Sequence, residues 1–577
     1  MRIDLIWIAG GNGGPTWSLG QTHMTGATPA AVAAAAKGVD LDAEFVLFWD
    51  AALGAPDTAA VIAAARTPGD VFHAGLALGM GGLPRLIDYV DPVWRFNRDP
   101  DPALGRDAPA GPTSWRLSLR TCLVRAAVLR RLGGPDAAFE TLAGASLELG
   151  HRWIARGAMM RHAPGLLSDS IAQDSYPVAR TQDKNPVPHV TLADEFRFVR
   201  RRYGRMWAGW AWWRALRHGA PIVAATRAWR AGAQGRRGAG GQGQAATDQQ
   251  STTNDQRLAL PVATVSVLIP TLDRYPHLFN LLDQLRGQTV PPLEIIVVDQ
   301  TDMAVRDTTW PERFTDLPLR VLWRDVAGQC SSRNAGLACV RGEAVLFLDD
   351  DDEILPDLIE QHLMFLARFG VDASCGVAEE LGAGALPAEF RIIRDSDVFP
   401  TNNSLLRVAA LRDSGLFDLA YERGERADAD VGMRLYLAGK QLALNPAASV
   451  VHLHAPRGGL RQHRARVVTR AAGRAGFRRH LLAPTEGYLW QRYFTPAQVN
   501  EALLIRTVGT LRGSERGIRR LLRALAMFIL LPDTWRQNRA RLAQGRALLR
   551  DHPSIVPFNP VRNRVEEPAS AGELLAV

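Results

Sequence analysis

At 577 residues the chain is too long for a single core, so two or more domains are expected. Its composition, 47% hydrophobic and 22% charged, is that of a globular protein, and no window nears the roughly 18 uninterrupted apolar residues of a membrane-spanning helix. The net charge of +9 and a pI near 9.8 point to an anionic partner such as a nucleotide, a lipid headgroup or a nucleic acid, while four cysteines without metal-ligand spacing argue against a disulfide framework.

Residues 3–8 (IDLIWI) read as a first strand, with an early Asp and no secretory cleavage pattern. A glycine-rich loop at 10–14 follows. Then come an alanine-rich helix at 29–37, a strand at 44–49 ending at Asp50, and a helix at 59–66. The rhythm is α/β, and residues 1–185 are expected to form a first domain. Residues 186–231 differ: Phe196, Phe198, Trp207, Trp210, Trp212, Trp213 and Trp229 interleave with arginines. That pattern suits one or two helices docked between domains with their Arg stems snorkelling, and also a helix lying on a membrane surface. Residues 232–258 are rich in Gly, Gln, Ser and Thr and offer little to bury, so they read as a linker and the main domain boundary.

A second α/β domain is expected over 259–460. It opens with a strand at 265–270 and an amphipathic helix at 277–288, whose Leu278, Leu281, Leu282 and Leu285 share one face. A strand at 294–299 ends in Asp299. Strand–helix–strand at this spacing implies a parallel sheet with its ligand site at the strand C-termini. Residues 461–577 read as a basic helical region. Within it, 517–531 (GIRRLLRALAMFILL) is a cationic amphipathic stretch suited to packing on the preceding domain or to a membrane surface.

The chain repeats itself. Residues 121–164 align without gaps onto 403–446, sharing Leu123/Leu405, Arg125/Arg407, Gly133/Gly415, Asp136/Asp418, Gly157/Gly439 and Pro164/Pro446. Shared Gly, Asp and Pro positions set turns and not merely composition, so two versions of one fold are expected. Upstream, residues 46–50 (VLFWD) match 345–349 (VLFLD). The copies diverge where chemistry would sit: Ala51 and Ala52 stand opposite Asp350 and Asp351, Ser146 opposite Asp428, and Ser170 and Ala172 opposite His452 and His454. The first copy is therefore expected to be degenerate and non-catalytic.

The organising stretch is 345–356 (VLFLDDDDEILP), an apolar strand that empties into Asp349, Asp350, Asp351 and Asp352. Four adjacent carboxylates are costly to bury without water, a cation or hydrogen-bond donors. A divalent cation, Mg²⁺ or Mn²⁺, suits such oxygen ligands and would bridge a carboxylate to a substrate phosphate.

Four blocks in order, 265–274 (VSVLIPTLDR), 294–299 (EIIVVD), 328–337 (GQCSSRNAGL) and 347–352 (FLDDDD), resemble family 2 glycosyltransferases of the GT-A fold. The resemblance covers about residues 264–456. It implies two GT-A-like domains with mixed, mainly parallel sheets, the first lacking the first two blocks. It also implies a nucleotide-diphosphate sugar as donor. Pro270 and Thr271 would meet the base, and Asp299 the base or ribose. The family often continues this strand with Asp-Asp-Gly-Ser, where this chain has Asp299, Gln300, Thr301 and Asp302. Arg333 would pair with the diphosphate or stack on the base. Asp349 and Asp351 would form the Asp-X-Asp motif, with Asp350 between them on the donor side and Asp351 on the metal.

Residues 423–434 (RGERADADVGMR) match the family's second acidic motif. The resemblance puts the catalytic base at Asp428, while Asp430 suits a charge complementing the helix dipole. Residues 450–454 (VVHLH) read as a strand with both histidines on one face, either of which, His452 or His454, would complete a metal shell. The whole implies an inverting, metal-dependent transferase acting on a glycan or lipid-linked hydroxyl in envelope or polysaccharide synthesis. Its acceptor loops are expected around 377–402. A cytoplasmic site is expected, with peripheral contact at the inner face of the plasma membrane, and no nucleic-acid partner, since no such module is recognisable. The rivals are a sugar nucleotidyltransferase and a non-catalytic nucleotide-sugar-binding scaffold.

Overall fold

A computed structural model describes residues 1–9, 13–81, 86–167, 189–233, 263–381, 384–455, 479–511 and 517–559. The expected linker at 232–258, the residues Ser170 and Ala172, and the start of the basic region at 461 lie outside these, apart from 232 and 233. The chain divides into two compact units, Met1–Ser251 and Thr252–Val577.

The first unit holds a six-stranded sheet: β1 Ile3–Ile8, β2 Thr22–Thr25, β3 Phe45–Asp50, β4 Val71–His73, β5 Thr121–Arg125 and β6 Met160–His162. Their order is β2-β1-β3-β5-β4-β6. β1 is buried along its whole length, which is why it is apolar on both faces apart from the buried Asp4 and does not alternate. The second unit holds β7 Val265–Thr271, β8 Glu294–Asp299, β9 Leu319–Trp323, β10 Ala344–Leu348, β11 Asp352–Ile354, β12 Ala373–Glu380, β13 Arg394–Asp395, β14 Asn403–Arg407 and β15 Leu442–His452. Their order is β11-β15-β12-β14-β10-β7-β8-β9, with β13 on β15.

The two sheets share five pairings. β1/β2 and β7/β8 are parallel, as are β1/β3 and β7/β10, and β4/β6 and β12/β15. β3/β5 and β10/β14 are antiparallel, as are β4/β5 and β12/β14. Register repeats too. Phe45 faces Arg125 as Ala344 faces Arg407, and Val71 faces Met160 as Ala373 faces Leu442. The first unit is the sparser one: no helix occurs among the described residues between β1 and β2, whereas Tyr275–Arg286 separates β7 from β8.

The aromatic, basic stretch forms three helices, not one or two: Leu192–Tyr203, Arg205–Arg217 and Ile222–Ala231. Gly204 and Gly219, both at positive φ, make the breaks. The first of these helices docks on its own unit. Asp194 accepts hydrogen bonds from Glu140 N, Thr141 N and Thr141 Oγ1 at 2.7–2.8 Å, and Phe196 and Phe198 are buried.

The C-terminal helices Pro484–Tyr493, Pro496–Gly509, Gly517–Ile529 and Leu531–Asp551 belong to the second unit. The single helix expected at 517–531 is cut short, because Pro532 lies in the first turn of the next one. Among the described residues, no helix is long and apolar enough to cross a membrane.

Candidate functional site

β10 is buried at every position and pairs with β7 on one side and β14 on the other, so its chain can emerge only at the sheet's edge. There it turns through Asp349–Asp351 into β11, which pairs antiparallel with β15 and sets Asp352 opposite His452. Three of the four carboxylates, Asp350, Asp351 and Asp352, are almost fully buried.

Each is compensated. Arg333 Nη2 donates to Asp349 Oδ1 at 2.9 Å. Thr271 Oγ1 donates to Asp350 at 2.8 Å, and Arg274 Nη1 donates to it at 2.9 Å. Ala455 N donates to Asp351 Oδ2 at 2.7 Å. His452 Nδ1 meets Asp352 Oδ1 at 2.8 Å. Burial pushes the Asp350 carboxyl up to about 6, against the pull of Arg274. Burial also raises Asp352, and it works against a charged His452. The hydrogen bond and charge of Asp352 prevail and raise the imidazole, which holds the shared proton there.

Asp351 stands apart. Its Oδ1 is buried and makes no hydrogen bond, with Arg274 Nη1 3.1 Å away as an ion contact. One carboxylate oxygen without a hydrogen bond suits a hard cation's ligand. Among the described residues, no three His, Cys, Asp or Glu side chains converge to hold an ion by themselves. The chemistry of this oxygen therefore fits one protein ligand of a hard cation, with Arg274 alongside it.

The strand expected at 450–454 ends at His452. His454 follows in the left-handed region (φ 56°), with its ring 4.4 Å from that of His452, edge to face. His454 Nε2 lies 3.8 Å from Glu380. The pair is thus adjacent, but a strand face does not align it.

Asp299 ends β8 and is fully buried. Its carboxylate accepts from Tyr275 Oη (2.9 Å), Trp310 Nε1 (3.2 Å) and Thr301 N (2.8 Å). Pro270 and Thr271 close β7 beside it in register. Arg333 rides on the helix Gln329–Leu337. Gly336 lets that helix lie on β7, since a Cβ there would collide with Leu268. Gly328 similarly leaves no room for a side chain against Glu422.

Asp428 lies in the first turn of the helix Ala427–Leu437, exposed, with its carboxylate accepting only from Ala429 N at 2.8 Å among the described hydrogen bonds. The segment just before its helix is tied to the tetrad through the helix Gln329–Leu337. At one end, Glu422 accepts from Cys330 N and Ser331 N (2.8 and 2.9 Å), and Gln329 donates to Tyr421 O and Gly424 O; one turn on, Arg333 reaches Asp349. Asp430 is no mere dipole charge. It is buried and accepts from Tyr493 Oη (2.7 Å) and Arg434 Nε (2.9 Å).

Beside the site is a cleft of about 450 Å³ lined by Val377, Glu379, Glu380, Leu386, Arg391 and Ser449. Residues 266–394 match the family model "Glycosyl transferase family 2". This segment is a family 2 glycosyltransferase domain. Its chain is 33% identical over 98 residues to the uncharacterized glycosyltransferase YwdF of Bacillus subtilis (strain 168), covering 17% of this chain and 36% of that one. It is 34% identical over 100 residues to the putative glycosyltransferase EpsH of the same strain, covering 17% and 29%. The chain thus spans about a third of the length of the curated relatives it matches. A mannosyltransferase from Pyrobaculum calidifontis, solved with GDP-Man and Mn²⁺, aligns at 18% identity and a TM-score of 0.33, over 49% of this chain and 86% of that one. A score this low supports no residue-level comparison.

Arg274, Glu422, Tyr275 and Tyr493 took no part in the sequence expectations, yet each holds a site residue or the helix that carries one. Arg274 closes the first block of the family pattern, which was the available signal; Tyr493, 63 residues from Asp430, left none.

Proposed function

We propose that the second unit transfers a sugar from a nucleotide-diphosphate donor to a hydroxyl acceptor, with inversion at the anomeric carbon. The family 2 domain supports the reaction class. The observation that carries the finer reading is the buried Asp351 Oδ1 without a hydrogen bond, at the end of β10.

In this reading Arg333 and Arg274, both at the tetrad, attract the diphosphate as they exchange partners with Asp349 and Asp350. Pro270, Thr271 and Asp299 form the base side of the donor site. The buried Asp299 acts by fixing Tyr275 and Trp310, since its own oxygens already accept from protein donors. A divalent cation, Mn²⁺ or Mg²⁺, supplies charge neutralisation at the diphosphate when bound, and its proposed seat is Asp351 with His454, or with His452 once that ring has given up its proton. Asp428 takes the proton from the acceptor hydroxyl. The acceptor oxygen forms its bond to C1 as the C1–phosphate oxygen bond breaks, and the nucleoside diphosphate leaves on the opposite face.

The cleft at Val377–Ser449 is the proposed acceptor site for a glycan or lipid-linked hydroxyl. The proposed setting is the cytoplasmic side of polysaccharide or envelope synthesis; the four free cysteines suit a reducing compartment. The first unit is a degenerate partner with no turnover of its own.

A screen of UDP-, dTDP- and GDP-sugars, following released nucleoside diphosphate with and without Mn²⁺, tests this. Release that depends on acceptor supports it. Pyrophosphate as the product, or no turnover of any donor, overturns it.

A further inference from the structure

A surface helix normally turns its apolar stripe inward and its charges out. Gly517–Ile529 does the reverse. Ile518, Leu521, Leu522, Leu525, Phe528 and Ile529 are all 57–74% exposed. At about 100° per residue these six fall within an arc of roughly 120°. The opposite side is the buried one: Arg523 and Met527, four residues apart, are covered, and Arg523 Nη1 donates to Thr510 O at 3.2 Å. Among the described residues, no other helix exposes more than two large apolar side chains. A continuous face of six is different, and contiguous apolar patches mark contact sites.

Charge tells what covers it. Residues 517–551 contain eight arginines against two aspartates, with no lysine or glutamate, a net of six positive charges. On the adjoining helix Leu531–Asp551, Arg536, Arg539, Arg546 and Arg550 are exposed. A second copy of the chain would bring the same excess against itself. An anionic bilayer complements it, and an in-plane helix with one apolar face and a basic surround is the form that a lipid surface holds. We propose that Gly517–Ile529 seats the protein on an anionic lipid surface by inserting this face. The docking does not rest on the transfer reaction and needs no donor or acceptor to be observed.

The test uses the full chain and sedimentation with two kinds of vesicle: phosphatidylcholine alone, and equal parts phosphatidylcholine and phosphatidylglycerol. The wild-type chain is expected to sediment with the anionic vesicles, and less so as salt rises. A Leu525→Glu/Phe528→Glu variant is expected to lose partitioning by roughly tenfold or more. Both side chains face solvent, so its thermal midpoint should match the wild type. Should the midpoint fall, Leu522→Ser/Leu525→Ser carries the test, with a smaller loss of the same sign. Wild-type chain that stays in the supernatant with anionic vesicles overturns the proposal. So does undiminished binding by a folded variant, or light scattering in which the glutamates split a dimer while vesicles bind neither form.

Discussion

The two units pair their strands in the same scheme, yet only the second ends its central strand in accumulated charge. β3 closes at Asp50, and Ala51–Leu53 follow as a single 3-10 turn. Asp50 caps that turn through Ala52 N at 3.0 Å and pairs with Arg120 at 2.6 Å, so one backbone N–H and one arginine satisfy it. β10 closes on four carboxylates that draw on Arg274, Arg333, Thr271 and His452 from three other elements and the loop after β7. Ser146, opposite Asp428, is buried. It donates to Leu142 O at 2.7 Å and accepts from Leu119 N at 3.1 Å, a structural hydroxyl where the other copy exposes an acid. The difference teaches that a pairing scheme fixes where a site can form, while the side chains at the strand ends decide whether charge collects there.

The sharpest way to break this contrast is a pair of substitutions. Asp428→Asn is expected to lower turnover by roughly 10²–10⁴-fold, with donor affinity retained, as for loss of a general base. Asp50→Asn in the first unit should leave turnover within about twofold, since its partners are local and partly exposed. Nucleoside diphosphate release and donor titration measure both. A collapse in a folded Asp50→Asn chain would erase the distinction.

Next in size is Asp351→Asn. The gain in nucleoside diphosphate affinity on adding Mn²⁺, read by calorimetry, should shrink by roughly tenfold or more. An unchanged gain would remove Asp351 from the cation's seat.

Acid should separate the units in the other direction. In the first, burial pushes His73 down to about 4, and His151 and His162 to about 3. In the second, His362, held by Ser374 and Asn403, is lowered to about 4. A folded pKa below the unfolded value of about 6.5 means that the unfolded chain takes the proton first as pH falls. That stability is intact above about pH 6.5 and drains away toward the folded pKa. At pH 5 each such histidine costs about 2 kcal/mol. Hydrogen exchange at pH 7 and pH 5 should show the first unit's sheet losing more protection. Equal losses would count against the neutral, buried state of its histidines.

The smallest effect is expected from Tyr493→Phe. It removes a 2.7 Å hydrogen bond to buried Asp430 but leaves Arg434 and Tyr421 in place. Loss of about 1–2 kcal/mol, seen as a lower thermal midpoint with near-normal turnover, would mark the C-terminal helix as a brace for the helix that carries Asp428. A large drop in turnover at full stability would make it more than a brace.

Strands such as Ile3–Ile8 and Glu294–Asp299 were legible because buried parallel strands are mainly apolar runs without alternation. The repeat was legible because glycine, aspartate and proline mark turns by local chemistry. The three-helix break at Gly204 and Gly219 was missed, since aromatic and arginine periodicity alone does not tell a pause from a continuation. The histidine pair was misread as one strand face because the strand's end is set by its neighbours: β11 pairs through His452 and no further.

By itself, the sequence determined the order of elements, the duplication and the acidic turn after β10, all of which follow from local periodicity and turn-forming residues. Only the tertiary structure decided how four adjacent carboxylates are tolerated. His452 stands 100 residues from Asp352, and Ala455 stands 104 from Asp351. The structure also decided which apolar face stays uncovered, since Gly517–Ile529 has the same periodicity whether its leucines meet a core or water. Both outcomes depend on which distant backbone comes alongside, and no local pattern encodes that.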